Sequence, residues 1–136
     1  MKRCIVLWDL ESIPFFYNCL VKKHILDMGF NYYLDPRIIA LSKKNLRLSR
    51  IKKKRGFEMI ITEDLNKDGA DNVLYGKSKK HRDRTAILVS NDLRLAKKIA
   101  KKQELILFYI NKDIPVHTVA CDSIHIYDNF QWDLSN

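Results

Sequence analysis

The chain alternates short, densely apolar runs with longer stretches whose apolar residues recur at helical spacing. Cys4–Trp8 (CIVLW), Phe57–Thr62 (FEMIIT), Thr85–Ser90 (TAILVS) and Leu105–Ile110 (LILFYI) have strand length and are rich in β-branched or aromatic residues. Arg37–Leu41, with Ile38 and Ile39 adjacent, is a shorter strand candidate. Ser123–Tyr127 (SIHIY) is a sixth, after a turn or short helix around Val116–Cys121. Phe15–Met28 places Phe16, Cys19, Leu20, Ile25 and Met28 at roughly helical spacing and stops at Gly29. Lys44–Arg55 is helical in composition and stops at Gly56. A helix from Asp68 to about His81 turns Ala70, Val73 and Leu74 inward. Another, capped by Asn91 or Asp92, pairs Leu95 with Ile99 and Ala96 with Ala100. Phe30–Lys44 reads either as containing the short strand or as part of a helix running on to Arg55; the β-branched Ile38-Ile39 pair favours the strand.

Strands apolar on both faces, alternating with helices, predict a three-layer α/β fold with a mostly parallel sheet covered by helices on both faces. A length of 136 residues suits one domain over 1–136, and 46% apolar residues are enough for a core. There is no apolar run of membrane-spanning length. The basic start MKR is followed by an apolar run that ends at Asp9 without a cleavage-site pattern, which argues against secretion. Cys4, Cys19 and Cys121 are far apart and form no CxxC pair. That argues against a disulfide framework or a zinc site, and a reducing, cytoplasmic setting is expected.

Charge changes the picture. The chain carries 25 Lys+Arg against 16 Asp+Glu, a net charge of +9. The excess is clustered: Lys43, Lys44, Arg47, Arg50, Lys52, Lys53, Lys54 and Arg55; then Lys77, Lys79, Lys80, Arg82 and Arg84; then Lys97, Lys98, Lys101 and Lys102. Any one cluster reads well as a solvated helix face. Three without matching acids point to a polyanion, nucleic acid foremost and a membrane surface less so.

Against this basic background, three aspartates fall where ligand sites of open α/β sheets lie, at the carboxyl ends of strands. Asp9 ends the first strand, Asp92 follows the fourth, and Asp71 stands in the first turn of the helix after the third. If the first and fourth strands are neighbours, the three share one rim. Clustered carboxylates repel, and burial raises their pKa, unless a cation sits among them. Oxygen-only ligation suits Mg²⁺ or Mn²⁺, which can activate water at a phosphodiester. Each acid also has a plainer role: Asp92 as a helix cap, Asp71 as a complement to the helix dipole. Asp9 has no evident capping duty, and Glu11 is either solvent-exposed or an additional ligand. The four histidines share no ligand spacing, and the four glycines make neither a GxGxxG loop nor a P-loop.

The motifs VLWDLESIP (Val6–Pro14), KDGAD (Lys67–Asp71) and LVSND (Leu88–Asp92) resemble, in order and spacing, those of the NYN domain of the PIN-like ribonuclease superfamily. The resemblance spans about residues 3–128. It implies a PIN-like sheet of order about 3-2-1-4-5, an acidic cluster binding Mg²⁺ or Mn²⁺, and endonucleolytic cleavage of RNA. By position, Asp9, Asp71 and Asp92 match the family's acids, Glu11 is a further metal-ligand candidate, and Ser12 would position a water. Lys43, Lys44, Arg47, Arg50, Lys77, Lys79, Lys80 and Arg94 are the expected backbone-phosphate contacts. Three positions depart from the pattern: Ser12 replaces a common Asn, and Arg94 and Ala96 stand where many members carry acids. These departures leave room for an RNA-binding or protein adaptor that does not turn over, and, on the fold alone, for a receiver-like domain.

Overall fold

Alternate residues of the first apolar run part to opposite sides of a sheet, and that division organises the molecule. The computed structural model describes residues 2–42, 56–63 and 69–126. In it, Cys4, Val6 and Trp8 of β1 (Cys4–Asp9) belong to one core cluster, and Ile5 and Leu7 to another. All six residues of β1 are buried, as expected for a central strand covered on both faces. The other strands are β2 (Arg37–Ser42), β3 (Glu58–Thr62), β4 (Thr85–Val89), β5 (Leu105–Tyr109) and β6 (Asp122–His125). They form one sheet in the order β3-β2-β1-β4-β5-β6, and every neighbouring pair is parallel. The expected α/β class and strand order are thus observed, with β6 added beyond β5. The strand reading of Ile38-Ile39 holds: both lie in β2.

The first core cluster receives Val21 and Ile25 from α1 (Asn18–Asp27). The second receives Ala70 and Leu74 from α2 (Gly69–Lys79), and Leu95, Ala96 and Ile99 from α3 (Leu93–Ala100). Among the described residues, one α-helix therefore covers one face and two cover the other. The expectation for the first helix fails at Phe16 and Cys19, which are exposed. A 3₁₀ turn at Phe15–Tyr17 precedes α1 and winds more tightly than an α-helix, so the residue phase shifts. Phe15 turns inward instead, its ring centroid 5.0 Å from Trp8 and 5.2 Å from Phe57. The helix expected over Lys44–Arg55 and the cap expected at Asp68 lie outside the described residues. Among the described residues, no helix is long and apolar enough to cross a membrane.

The amino edge of the sheet is fixed by a buried ion pair. Asp35 accepts from Cys4 N–H at 2.8 Å and from Arg84 Nη1 at 2.7 Å, and both side chains are largely buried. Nearby, Arg37 stacks its guanidinium 4.3 Å from the Tyr32 ring and donates to the Tyr32 carbonyl at 2.6 Å. Gly56 has φ +77°, and a Cβ there would overlap that guanidinium.

Candidate functional site

Successive strands are added on one side of β1 up to β3, and then on its other side from β4 onward. The β1/β4 boundary is therefore the switch point, where α/β sheets open a crevice at the strands' carboxyl ends. Trp8 is paired with Val89 there, and the residues that follow them meet through side chains. Ser90 Oγ donates to Asp9 Oδ2 at 2.8 Å and accepts from Asp92 N–H at 3.0 Å. Asp92 caps α3, its Oδ1 accepting from the N–H groups of Arg94 at 2.9 Å and Leu95 at 3.2 Å. Its carboxyl is also hydrogen-bonded to that of Asp71, in the first turn of α2. The structure thus brings Asp9, Asp71 and Asp92 to one rim, two in direct contact and the third joined through a serine.

Burial pushes the Asp9 carboxyl up to about 6, and the negative charges of Glu11 and Asp92 push the same way. The bonds from Ser90 and from the Glu11 N–H offset only part of this. For Asp92, burial also opposes ionisation. Its carboxyl nevertheless lies below the ordinary range, because of the Asp71 hydrogen bond, the Leu95 and Arg94 N–H groups and the Arg94 charge. The rim as it stands is crowded with negative charge. The donor set matches a hard divalent cation in kind, being anionic, all-oxygen and mutually repulsive. Among the described residues, no three acidic, histidine or cysteine side chains converge as a ready-made ligand set.

The remaining expected residues are placed as follows. Glu11 is exposed, and its Oε1 accepts from Ser42 N–H, tying the end of β1 to the end of β2. Ser12 Oγ accepts from Asn91 N–H at 2.7 Å, tying the same loop to the end of β4. Arg94 is exposed on the first turn of α3, beside the acids. Ala96 is fully buried in the core, so an acid at that position would lie beneath the helix rather than on the rim. Lys77 reaches Glu58, the first residue of β3, at 3.5 Å. That contact, with Lys79 and Lys80 just beyond, puts this cluster at the amino edge of the sheet, the length of α2 away from Asp71. Lys43, Lys44, Arg47 and Arg50 lie outside the described residues.

Two residues that organise the rim carry no obvious signal of their own. Ser90 is the shared hydrogen-bond partner of Asp9 and Asp92. Asn91 Oδ1 accepts from Ile110 N–H and Asn111 N–H, both at 3.0 Å, and so anchors the end of β5. Both stand inside LVSND, so the motif marks them, although nothing in its spacing separates ligand from brace. The sequence matches no protein-family model and no curated protein.

Proposed function

We propose that this protein is an NYN-like, metal-dependent endoribonuclease whose chemistry lies at the β1/β4 switch point. The observation that carries the reading is the gathering of Asp9, Asp71 and Asp92 at one strand-end rim in a chain of net charge +9. Acids collected at one rim of a basic protein are costly without a cation, and RNA supplies the polyanion that the basic surface lacks. Asp9, Asp71 and Asp92 would hold Mg²⁺ or Mn²⁺, with Glu11 alongside. The ion, when bound, supplies water activation and charge neutralisation at the scissile phosphate.

The chain's own residues do the rest. Ser90 keeps the Asp9 carboxylate oriented and favours its ionised form. Ser12 accepts from Asn91 and keeps its own hydroxyl proton for a water at the rim. Arg94 offers a cation to a phosphate approaching the same rim. In the hydrolysis, a water oxygen bonds to phosphorus, the bond from phosphorus to the departing nucleotide's oxygen breaks, and that oxygen takes up a proton. Purified protein is expected to cleave RNA with Mg²⁺ or Mn²⁺, to stop in EDTA, and to lose at least a hundredfold in rate on Asp9→Asn or Asp92→Asn while still binding RNA. Equal cleavage by the variants or in EDTA would refute the assignment.

A second reading, an RNA-binding adaptor that does not turn over, is favoured by one observation. Asp92 Oδ1 already accepts two backbone N–H groups, a role that needs no ion. Salt-dependent RNA binding with no cleavage at any Mg²⁺ or Mn²⁺ concentration decides for it.

A further inference from the structure

The face of the sheet covered by α2 and α3 carries cations from the acidic rim to the opposite edge. On α3, Leu95, Ala96 and Ile99 point inward, and the outer surface presents Arg94, Lys97 and Lys98. Lys101 and Lys102 continue the series, all five cations are exposed, and no acid lies between Leu93 and Lys102. Arg94 and Lys98 follow at i, i+4, about 6 Å apart along the axis, and Lys102 lies just past the end of α3. Across the helix pair, Lys98 Nζ and Lys79 Nζ lie 5.8 Å and 4.7 Å from the centroid of the same Tyr75 ring. Cations from the two helices thereby share one aromatic ring on this surface.

The series runs into the amino edge, where three loops interlock. Gln103 Nε2 donates to the carbonyls of His81 at 3.2 Å and Arg84 at 3.0 Å, and Thr85 N–H donates to Arg3 O at 3.1 Å. Lys2, Arg3, Arg82 and Arg84 there line an open cleft of about 530 Å³, with Asp83 and Glu104 the acids among its walls. Arg84 is held in place by Asp35, and Arg3 Nη1 lies 3.7 Å from Asp83 in an exposed ion pair, which leaves Lys2 and Arg82 as the cleft's cations outside these pairs. The His81 imidazole is held below its usual range by burial first and then by the Arg84, Lys77 and Arg3 charges, although Asp83 acts against them. Lysines at the ends of α2 and α3 would also complement the helix dipoles. That does not account for Arg94, at the end of α3 where a cation is disfavoured, or for Lys2 and Arg82, which lie on no helix.

We infer that the outer face of α2 and α3, from Arg94 to the Lys2–Arg3–Arg82 cleft, is a track for the phosphate backbone of RNA. The track spans the height of the sheet, roughly 20 Å for six residues of strand. The favoured substrate is therefore an RNA long enough to reach from the acidic rim to the amino edge. This deepens the ribonuclease reading and rests on it only for where the RNA is cut.

The test is fluorescence anisotropy in EDTA, so that no cleavage intervenes, with labelled single-stranded RNAs of 4 and 24 nucleotides at several salt concentrations. The variant is Lys98→Gln/Lys101→Gln/Lys102→Gln, and the control is Lys22→Gln/Lys23→Gln on α1, the opposite face. The track predicts that the triple variant loses at least tenfold in affinity for the 24-mer. Its log K against log [salt] slope falls by about 2, from about 0.7 per phosphate contact in single strands. The 4-mer changes less than twofold, and the control binds as wild type. The inference is overturned if wild type binds no RNA, if the control loses as much as the triple variant, or if only binding to phosphatidylserine vesicles is lost. Track binding without cleavage under Mg²⁺ or Mn²⁺ upholds the inference and removes the ribonuclease reading. Cleavage with no dependence on length or on the triple substitution does the reverse.

Discussion

Asp9 and Asp92 are joined through one hydroxyl: Ser90 Oγ donates to the Asp9 carboxylate at 2.8 Å and accepts from the Asp92 N–H at 3.0 Å. The two acids come from the ends of different strands, and the serine fixes one relative to the other. Removing it leaves a buried carboxylate without its side-chain donor. Ser90→Ala is expected to destabilise the protein by about 1–3 kcal/mol at pH 8, where Asp9 is ionised, and by less at pH 4.5, where it is protonated. Urea denaturation at the two pH values measures the difference. An equal loss at both would mean that the serine serves packing alone.

Asp9 itself gives a pH signature in metal-free protein. Its carboxyl is raised from an ordinary 3.8 to about 6 by burial first, with Glu11 and Asp92 contributing. A raised carboxyl binds its proton more tightly when folded, so this group's contribution is fully present below about 4 and is lost as pH rises through about 6. In EDTA, stability should fall across that window by on the order of 2–3 kcal/mol. Asp9→Asn should flatten the profile there and be the more stable protein at pH 8. Parallel denaturation profiles for wild type and Asp9→Asn would exclude this account of Asp9.

The Asp35–Arg84 pair is the contrasting case, a carboxylate with a partner. Asp35 satisfies both Cys4 N–H and the Arg84 guanidinium at the amino edge. Asp35→Ala leaves a mostly buried cation and a buried N–H unanswered, and should cost about 3–5 kcal/mol. Chemical denaturation measures it, with Lys22→Gln as a surface control expected to change stability by less than about 0.5 kcal/mol.

The hydrophobic pattern carried most of the architecture. Runs of strand length apolar on both faces correspond to the observed strands, because a parallel sheet under helices buries both sides of its inner strands β2, β1, β4 and β5, while the edge strands β3 and β6 stay partly exposed. Strand-end position also located Asp9, Asp71 and Asp92, since the topology and not the local sequence brings them together. What stayed illegible was settled by tertiary partners. Phe16 follows helical spacing, yet a 3₁₀ turn rotates it outward and sends Phe15 into the core. Asp35 looks like a loop residue next to a proline; its burial depends on Arg84, far along the chain. Lys77, Lys79 and Lys80 were readable as a basic cluster, but only the direction of α2 shows that they stand at the edge opposite the acids. Ser90 and Asn91 are common residue types whose bracing roles exist only once β1, β4 and β5 are aligned.

The central claim is that Asp9, Asp71 and Asp92 act as one cation site, and Mn²⁺ binding to the purified protein tests it most directly. Titration at pH 7.5, followed by electron paramagnetic resonance of the free ion, should show a saturable site in wild type. Asp9→Asn, Asp71→Asn and Asp92→Asn should each weaken it at least tenfold, while far-ultraviolet circular dichroism stays unchanged. No saturable Mn²⁺ binding by wild type, or binding of wild-type strength by the Asp71→Asn variant, would contradict the account.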